Sequence, residues 1–219
     1  MARTPDAVRG QDARRLIAEA ACDLVAERGL DHVTLRRIAG QLGVTTGYIT
    51  HYYVDKDDLL EAALLSALGE LTTKEGGWSR NLDEWVDAAV EILPNAGGSQ
   101  RFWRVLTVFQ AASLTSTRLA DVLNTYARNS LTNLSAHLVA HLDVDHTQEI
   151  DELARSIFAF VSSLGTLTVT TPGVLSAAQA RTLVRSGLSG LIEEFADRRE
   201  PGATPDSVTG RSDGTGEPR

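Results

Sequence analysis

Two stretches of this chain gather side chains whose types and spacing could do chemistry. The first runs from Thr34 to Lys56 and offers hydroxyls at Thr34, Thr45, Thr46 and Thr50, phenols at Tyr48 and Tyr52, the His51 imidazole, and cations at Arg36, Arg37 and Lys56. Such a set suits hydrogen bonding to base edges and phosphates, and Gly47 within it lets backbone approach a duplex closely. The second stretch holds His137, His141, Asp143, Asp145 and His146, the imidazole and carboxylate types that bind divalent metals. Its competing reading, the polar end of a helix running into a loop, is the one adopted, so no metal ligand is assigned. There is no Gly-x-Ser-x-Gly elbow, phosphate loop, dinucleotide fingerprint or His-Glu-x-x-His. No catalytic residue, enzyme class or cofactor is therefore expected.

Composition narrows the setting. The chain has 219 residues, 42% of them hydrophobic, enough to fold without staples. Cys22 is the sole cysteine, so no intrachain disulfide forms. The N-terminus has no apolar run, and polar residues interrupt every later stretch before the length of a membrane span, so a cytoplasmic protein with no membrane partner is expected. A net charge of −8 works against DNA binding. Locally the balance reverses: from Arg28 to Lys56 there are four cations (Arg28, Arg36, Arg37, Lys56) against two anions (Asp31, Asp55).

The elements that would position these residues are all helical, about nine in number. Leu16, Ile17, Ala20, Ala21, Leu24 and Val25 recur at helical spacing and Gly29 closes the pattern. Thr34 caps a second helix with Leu35, Ile38, Ala39 and Leu42 inward, ended by Gly43. Thr45 or Thr46 caps a short third helix with Ile49 and Tyr53 inward. Asp55 starts a fourth, which Gly76-Gly77 breaks. Amphipathic segments follow at Leu82 to Leu93, Gln100 to Leu114, Thr117 to Leu142, Gln148 to Val169 and Ser176 to Arg198.

Helix, glycine-containing turn, helix is the plan of a helix-turn-helix, and Thr34 to Tyr53 meets each requirement. Lys56 sits in the first turn of the fourth helix, where a cation opposes the helix dipole, and phosphate is its natural partner. The runs Thr34-Leu35-Arg36-Arg37-Ile38-Ala39, Gly43-Val44-Thr45-Thr46-Gly47-Tyr48-Ile49-Thr50-His51-Tyr52-Tyr53 and Asp55-Lys56-Asp57-Asp58-Leu59 resemble the signature of the TetR family of transcriptional regulators. The recognition segment is most similar to the BetI-like branch, whose pattern has a hydroxyl residue where most relatives carry tyrosine; here that residue is Thr50. The resemblance implies a ligand-responsive repressor, in which Thr34 and Arg36 meet DNA from the second helix. It further implies that Thr46, Gly47 and Tyr48 meet base edges and that Tyr52 and Lys56 hold phosphates. The alternative is a helical ligand- or partner-binding protein without operator binding.

The expected organisation is a flexible arm over 1–11, a DNA-binding domain over 12–56, a ligand-binding and dimerisation domain over 57–198, and a disordered tail over 199–219, too poor in apolar residues to repay its ordering. Palindromic operator DNA calls for a homodimer. Small residues on the last two helices suggest close packing in a four-helix dimer interface, the alternative being packing within one subunit, with Phe160, Ser163, Leu164 and Leu167 on one helix and Ser186, Gly187, Gly190 and Leu191 on the other. Trp85, Phe102, Trp103, Phe109 and Tyr126 fall in the helices that would sense a small-molecule effector. The resemblance implies a pocket formed among helices five to eight whose filling shifts helix four and hence the spacing of the recognition helices.

Overall fold

The computed structural model describes residues 5–75, 82–94 and 99–199. Among them the regular elements are nine α-helices and one 3₁₀ turn: α1 (Pro5–Arg28), the turn Leu30–His32, α2 (Leu35–Leu42), α3 (Thr46–Tyr52), α4 (Lys56–Glu75), α5 (Leu82–Ile92), α6 (Ser99–Ser113), α7 (Thr117–Leu142), α8 (Gln148–Thr170) and α9 (Ala177–Arg199). The fold is all-α, as expected. The Gly76-Gly77 break and the tail beyond Arg199 lie outside the described residues.

One expectation fails at the N-terminus. Helix α1 begins at Pro5, so residues 5–11 are helical and not an arm. A proline in the first turn gives up an N–H that has no intrahelical partner anyway, and once a helix is nucleated each added residue gains one bond for one residue fixed.

The apolar residues assemble into two cores. The first joins α1 to α4 with α6 and the start of α7, and its buried members include Ile17, Ala21, Val25, Ile38, Ile49, Tyr53, Leu59, Leu64, Phe102, Trp103, Phe109 and Leu119. It therefore runs straight across the position, near residue 56, where sequence alone suggests a division. The second core joins α5, the C-terminal half of α7, α8 and α9, around Trp85, Leu138, Ile150, Val184 and Leu188. Trp103 ties the two together: its indole Nε1 donates to the Ile92 carbonyl at 2.7 Å, and its ring lies against Gly165 of α8. Ion pairs Arg185–Asp87 and Arg181–Glu91 fasten α9 to α5 at the surface.

Helix α8 departs from the hydropathy expectation, since by length and composition it could cross a membrane. In the fold its apolar side is spent on the second core through Ile150, Leu153, Ala154, Ile157 and Leu164, and its first turn carries Glu149 and Asp151.

Candidate nucleic-acid interface

Helices α2 and α3 owe their short lengths to caps. Thr34 is extended and its Oγ1 accepts from the Arg37 N–H at 3.2 Å, while Gly43 ends α2 in the left-handed conformation with φ 66°. Two residues later Thr45 repeats the device, accepting from the Tyr48 N–H at 3.2 Å. Such a cap contributes about 0.5–2 kcal/mol, much of what holds a seven-residue helix. Ile49 is buried and plugs α3 into the first core, and Tyr53 follows it there, with its hydroxyl donating to the Arg14 carbonyl at 2.7 Å.

That anchoring turns the opposite side of α3 outward. Thr45, Thr46, Gly47, Tyr48, Thr50 and His51 are exposed, as are Thr34 and Arg36, and Tyr52 is half-buried. A Cβ at Gly47 would find only the Thr45 hydroxyl, at 3.8 Å, so open space lies over this turn. Thr50 Oγ1 donates to the Gly47 carbonyl at 3.1 Å, which leaves its lone pairs free to accept. The Tyr48, Tyr52 and His51 rings pack edge to face, with centroids 5.2 and 4.9 Å apart, and stiffen the exposed rim. The hydrogen bond with Tyr48, and burial after it, raise the Tyr52 phenol above its usual range.

Lys56 opens α4 and also has a partner within the chain. Its Nζ donates to the Leu30 carbonyl at 3.1 Å and ties the start of α4 to the turn after α1. An ammonium has two further donors, so the structural bond does not use up the side chain. Helix α4 opens with a box of reciprocal bonds: the Asp58 N–H donates to Asp55 Oδ1 at 2.7 Å and the Val54 N–H donates to Asp58 Oδ2 at 3.1 Å. This box fixes the joint between α3 and α4.

A cavity of about 540 Å³ opens between α4 and α7, lined by Glu61, Leu65 and Leu68 on one side and Arg118, Asp121 and Tyr126 on the other. Of the five aromatic residues expected to line a ligand site, only Tyr126 is here. Trp85, Phe102, Trp103 and Phe109 are each at most 4% exposed and serve as core. Sequence reasoning missed Arg118, Asp121, Thr125 and Asn129, although their helical spacing marks one stripe of α7. Arg118 reaches across to α4, pairing with Glu61 and with Asp58 Oδ1 at 3.4 Å.

The residues expected at a dimer interface divide. Ser163, Leu167, Ser186 and Gly190 are exposed on α8 and α9. Leu164 is buried in the chain's own core, and Phe160 and Leu191 are half-buried against it. A Cβ at Gly187 would lie 2.5 Å from the Phe160 ring of the same chain. Gly187 thus has an intramolecular reason to be small, and Leu164 packs into the second core. In the first turn of α8, Asp151 accepts from Ser135 Oγ of α7 at 2.8 Å and lies 3.0 Å from His146 Nε2. Among the described residues no three His, Cys, Asp or Glu side chains form a metal-binding group.

Known proteins share this arrangement. The family model for bacterial regulatory proteins of the tetR family matches residues 17–63, and the model for the C-terminal domain of BetI-type transcriptional repressors matches residues 82–193. The HTH-type transcriptional regulator BetI of Klebsiella pneumoniae is 27% identical over 145 residues, covering 62% of this chain and 73% of that protein. A Rhodococcus transcriptional regulator superimposes with a TM-score of 0.73 at 22% identity, over 83% of this chain and 96% of that one. A Saccharomonospora viridis regulator, solved in complex with choline, gives 0.71 at 24% identity, over 82% and 96%.

Proposed function

We propose, on the premise that this chain belongs to the BetI-type branch of the TetR family of transcriptional regulators, that it is a cytoplasmic homodimeric repressor released from a palindromic operator by a small organic cation. The observation that carries the reading is the exposed polar side of α3, capped by Thr45 and backed by Ile49, on a core that also includes the cavity wall α4. Tyr48, Thr46 and Gly47 meet base edges; Thr34, Arg36, Thr45, Thr50, His51, Tyr52 and the spare Lys56 donors meet phosphate or flank it.

A dimer is supported by the outer faces of α8 and α9, where Leu167 and Leu183 are 45% and 44% exposed beside Ser163, Ser186 and Gly190. Two large apolar side chains interleaved with small ones suit a self-complementary helix face, and two-fold symmetry sets two recognition helices about 34–36 Å apart. For the effector, the cavity volume is in the range of small-molecule sites, about 300–1,000 Å³. Its lining carries two carboxylates, Glu61 and Asp121, against the single Arg118 guanidinium, with the Tyr126 ring nearby, which favours a cation. Choline is the first compound to test.

The net charge of −8 favours one rival, a helical ligand-binding protein without operator binding. Fluorescence anisotropy at fixed salt on the DNA flanking the gene decides between them. Saturable binding at least about 1,000-fold tighter than to unrelated duplex supports the repressor, and equal, weak binding to every duplex, including those from a genome-wide selection, supports the rival.

A further inference from the structure

The joint between α3 and α4 is held from the effector side of the molecule. The Val54 N–H, the first amide beyond Tyr53, donates to Asp58 Oδ2, and the other oxygen of that carboxylate receives Arg118 Nη2 from α7. The same guanidinium donates through Nε to Glu61. Arg118 and Glu61 both line the α4–α7 cavity. One planar fork thus spans two carboxylates one turn apart on α4, and one of those carboxylates fixes the end of the recognition segment.

We propose that Arg118 is a positioning residue for DNA reading, a latch that holds the Val54 joint and hence the angle of α3, and that an effector acts by drawing this guanidinium or Glu61 away. The proposal rests on the repressor reading and specifies its regulation. Two physical effects act together. Arg118 fixes the rotamer of Asp58, so the Val54 amide keeps its acceptor. It also offsets part of the negative charge that Asp55, Asp58 and Glu61 gather at the start of α4 beside the proposed phosphate contacts; the hydrogen bond to Glu61 foremost, with the attraction of these carboxylates, raises the guanidinium pKa above its ordinary value. Freed of Arg118, the cluster repels phosphate as the joint loosens. Lysine is a poor substitute, since a point charge does not bridge both carboxylates as the fork does.

The test compares wild type with Arg118→Met, Arg118→Lys, Asp58→Asn, the Arg118→Met/Asp58→Asn pair, and Arg128→Met, which removes an exposed charge elsewhere on α7. Operator affinity is read by anisotropy at fixed salt on duplexes selected by the wild type, and amide exchange is followed in the free proteins over residues 53–58. Arg118→Met weakens the operator roughly three- to fivefold, Arg118→Lys falls between, and Arg128→Met changes affinity by less than about twofold. The pair is less than multiplicative, and exchange accelerates at Val54 with no global rise. Multiplicative effects, equal losses in Arg118→Met and Arg128→Met, or unchanged exchange at Val54 overturn the latch. If the wild type binds no duplex selectively, the repressor reading fails instead, and the Val54 exchange alone decides whether the latch exists.

Discussion

Alanine at Gly165 puts the contact between the two cores to a quantitative test. A Cβ built there lies 2.3–2.5 Å from three carbons of the Trp103 indole, where ordinary contacts begin near 3.4 Å, so ring and helix must part by about 1 Å. The indole has little room to retreat. It is 2% exposed and Nε1 is anchored to the Ile92 carbonyl, so a shift stretches that bond or moves α8. Overpacking of this kind costs about 1–3 kcal/mol, and the removal of a helix glycine returns at most about 1 kcal/mol. Gly40 of α2 is the internal reference, since a Cβ there meets nothing within 4 Å and Gly40→Ala should stabilise by about 0.5–1 kcal/mol. Urea unfolding at one fixed protomer concentration should place Gly165→Ala below Gly40→Ala by about 1–3 kcal/mol, and melting should separate them at about 2–4 °C per kcal/mol. Gly187→Ala should fall between the two, because the half-buried Phe160 ring it strikes has room to turn. Equal gains from Gly165→Ala and Gly40→Ala would refute the close approach, and with it the account of how the cores are joined.

Four further outcomes are expected. Thr45→Ala removes the cap of α3 and should cost about 0.5–2 kcal/mol of stability with a matching loss of operator affinity, while Thr45→Ser, which keeps the acceptor, restores both in denaturation and anisotropy. Leu167→Glu with Leu183→Glu buries like charges in the proposed dimer face and should yield a folded monomer without operator binding by sedimentation and anisotropy; a dimer of unchanged affinity would show that the interface lies elsewhere. Burial lowers the pKa of His137, so the folded state takes up its proton later than the unfolded chain does. Its contribution is complete above the ordinary histidine value near 6.5 and is lost as pH falls from there through the depressed folded value. His137→Gln should flatten that slope of stability against pH. Asp151, held low first by the Ser135 hydroxyl, behaves alike at more acid pH: its contribution is present above the ordinary carboxylate value and fades as pH falls through the folded one, and Ser135→Ala should reduce this.

What was readable in the sequence was what short-range chemistry decides. Thr34 announces one cap, Thr45 or Thr46 a second, and Gly43 a left-handed stop; the structure uses Thr34 and Gly43 as written and settles the second cap on Thr45. Periodicity likewise marked Ile38, Ile49 and Tyr53 as inward. It did not reveal whether the space they face is filled. Trp85, Phe102, Trp103 and Phe109 are inward residues that pack solidly, whereas the cavity is lined by the polar stripe of α7, which reads in isolation as a solvated face. The same ambiguity affects small residues: Gly187 admits Phe160 of its own chain, a neighbour 27 residues away that no local pattern names. Lys56 shows a further limit, because its Leu30 partner lies 26 residues away and no local pattern pairs them.

The first core has a consequence for anyone building hybrid regulators. Ile38 and Ile49 of the reading head share a continuous apolar interior with Phe102, Phe109 and Leu119, so a fragment cut near residue 56 would leave that interior open to water on one side. A transplanted reading head therefore needs its own α6 scaffold or a redesigned seam along that contact. Changing the outward residues of α3, which touch none of this interior, is the gentler route to a new target sequence.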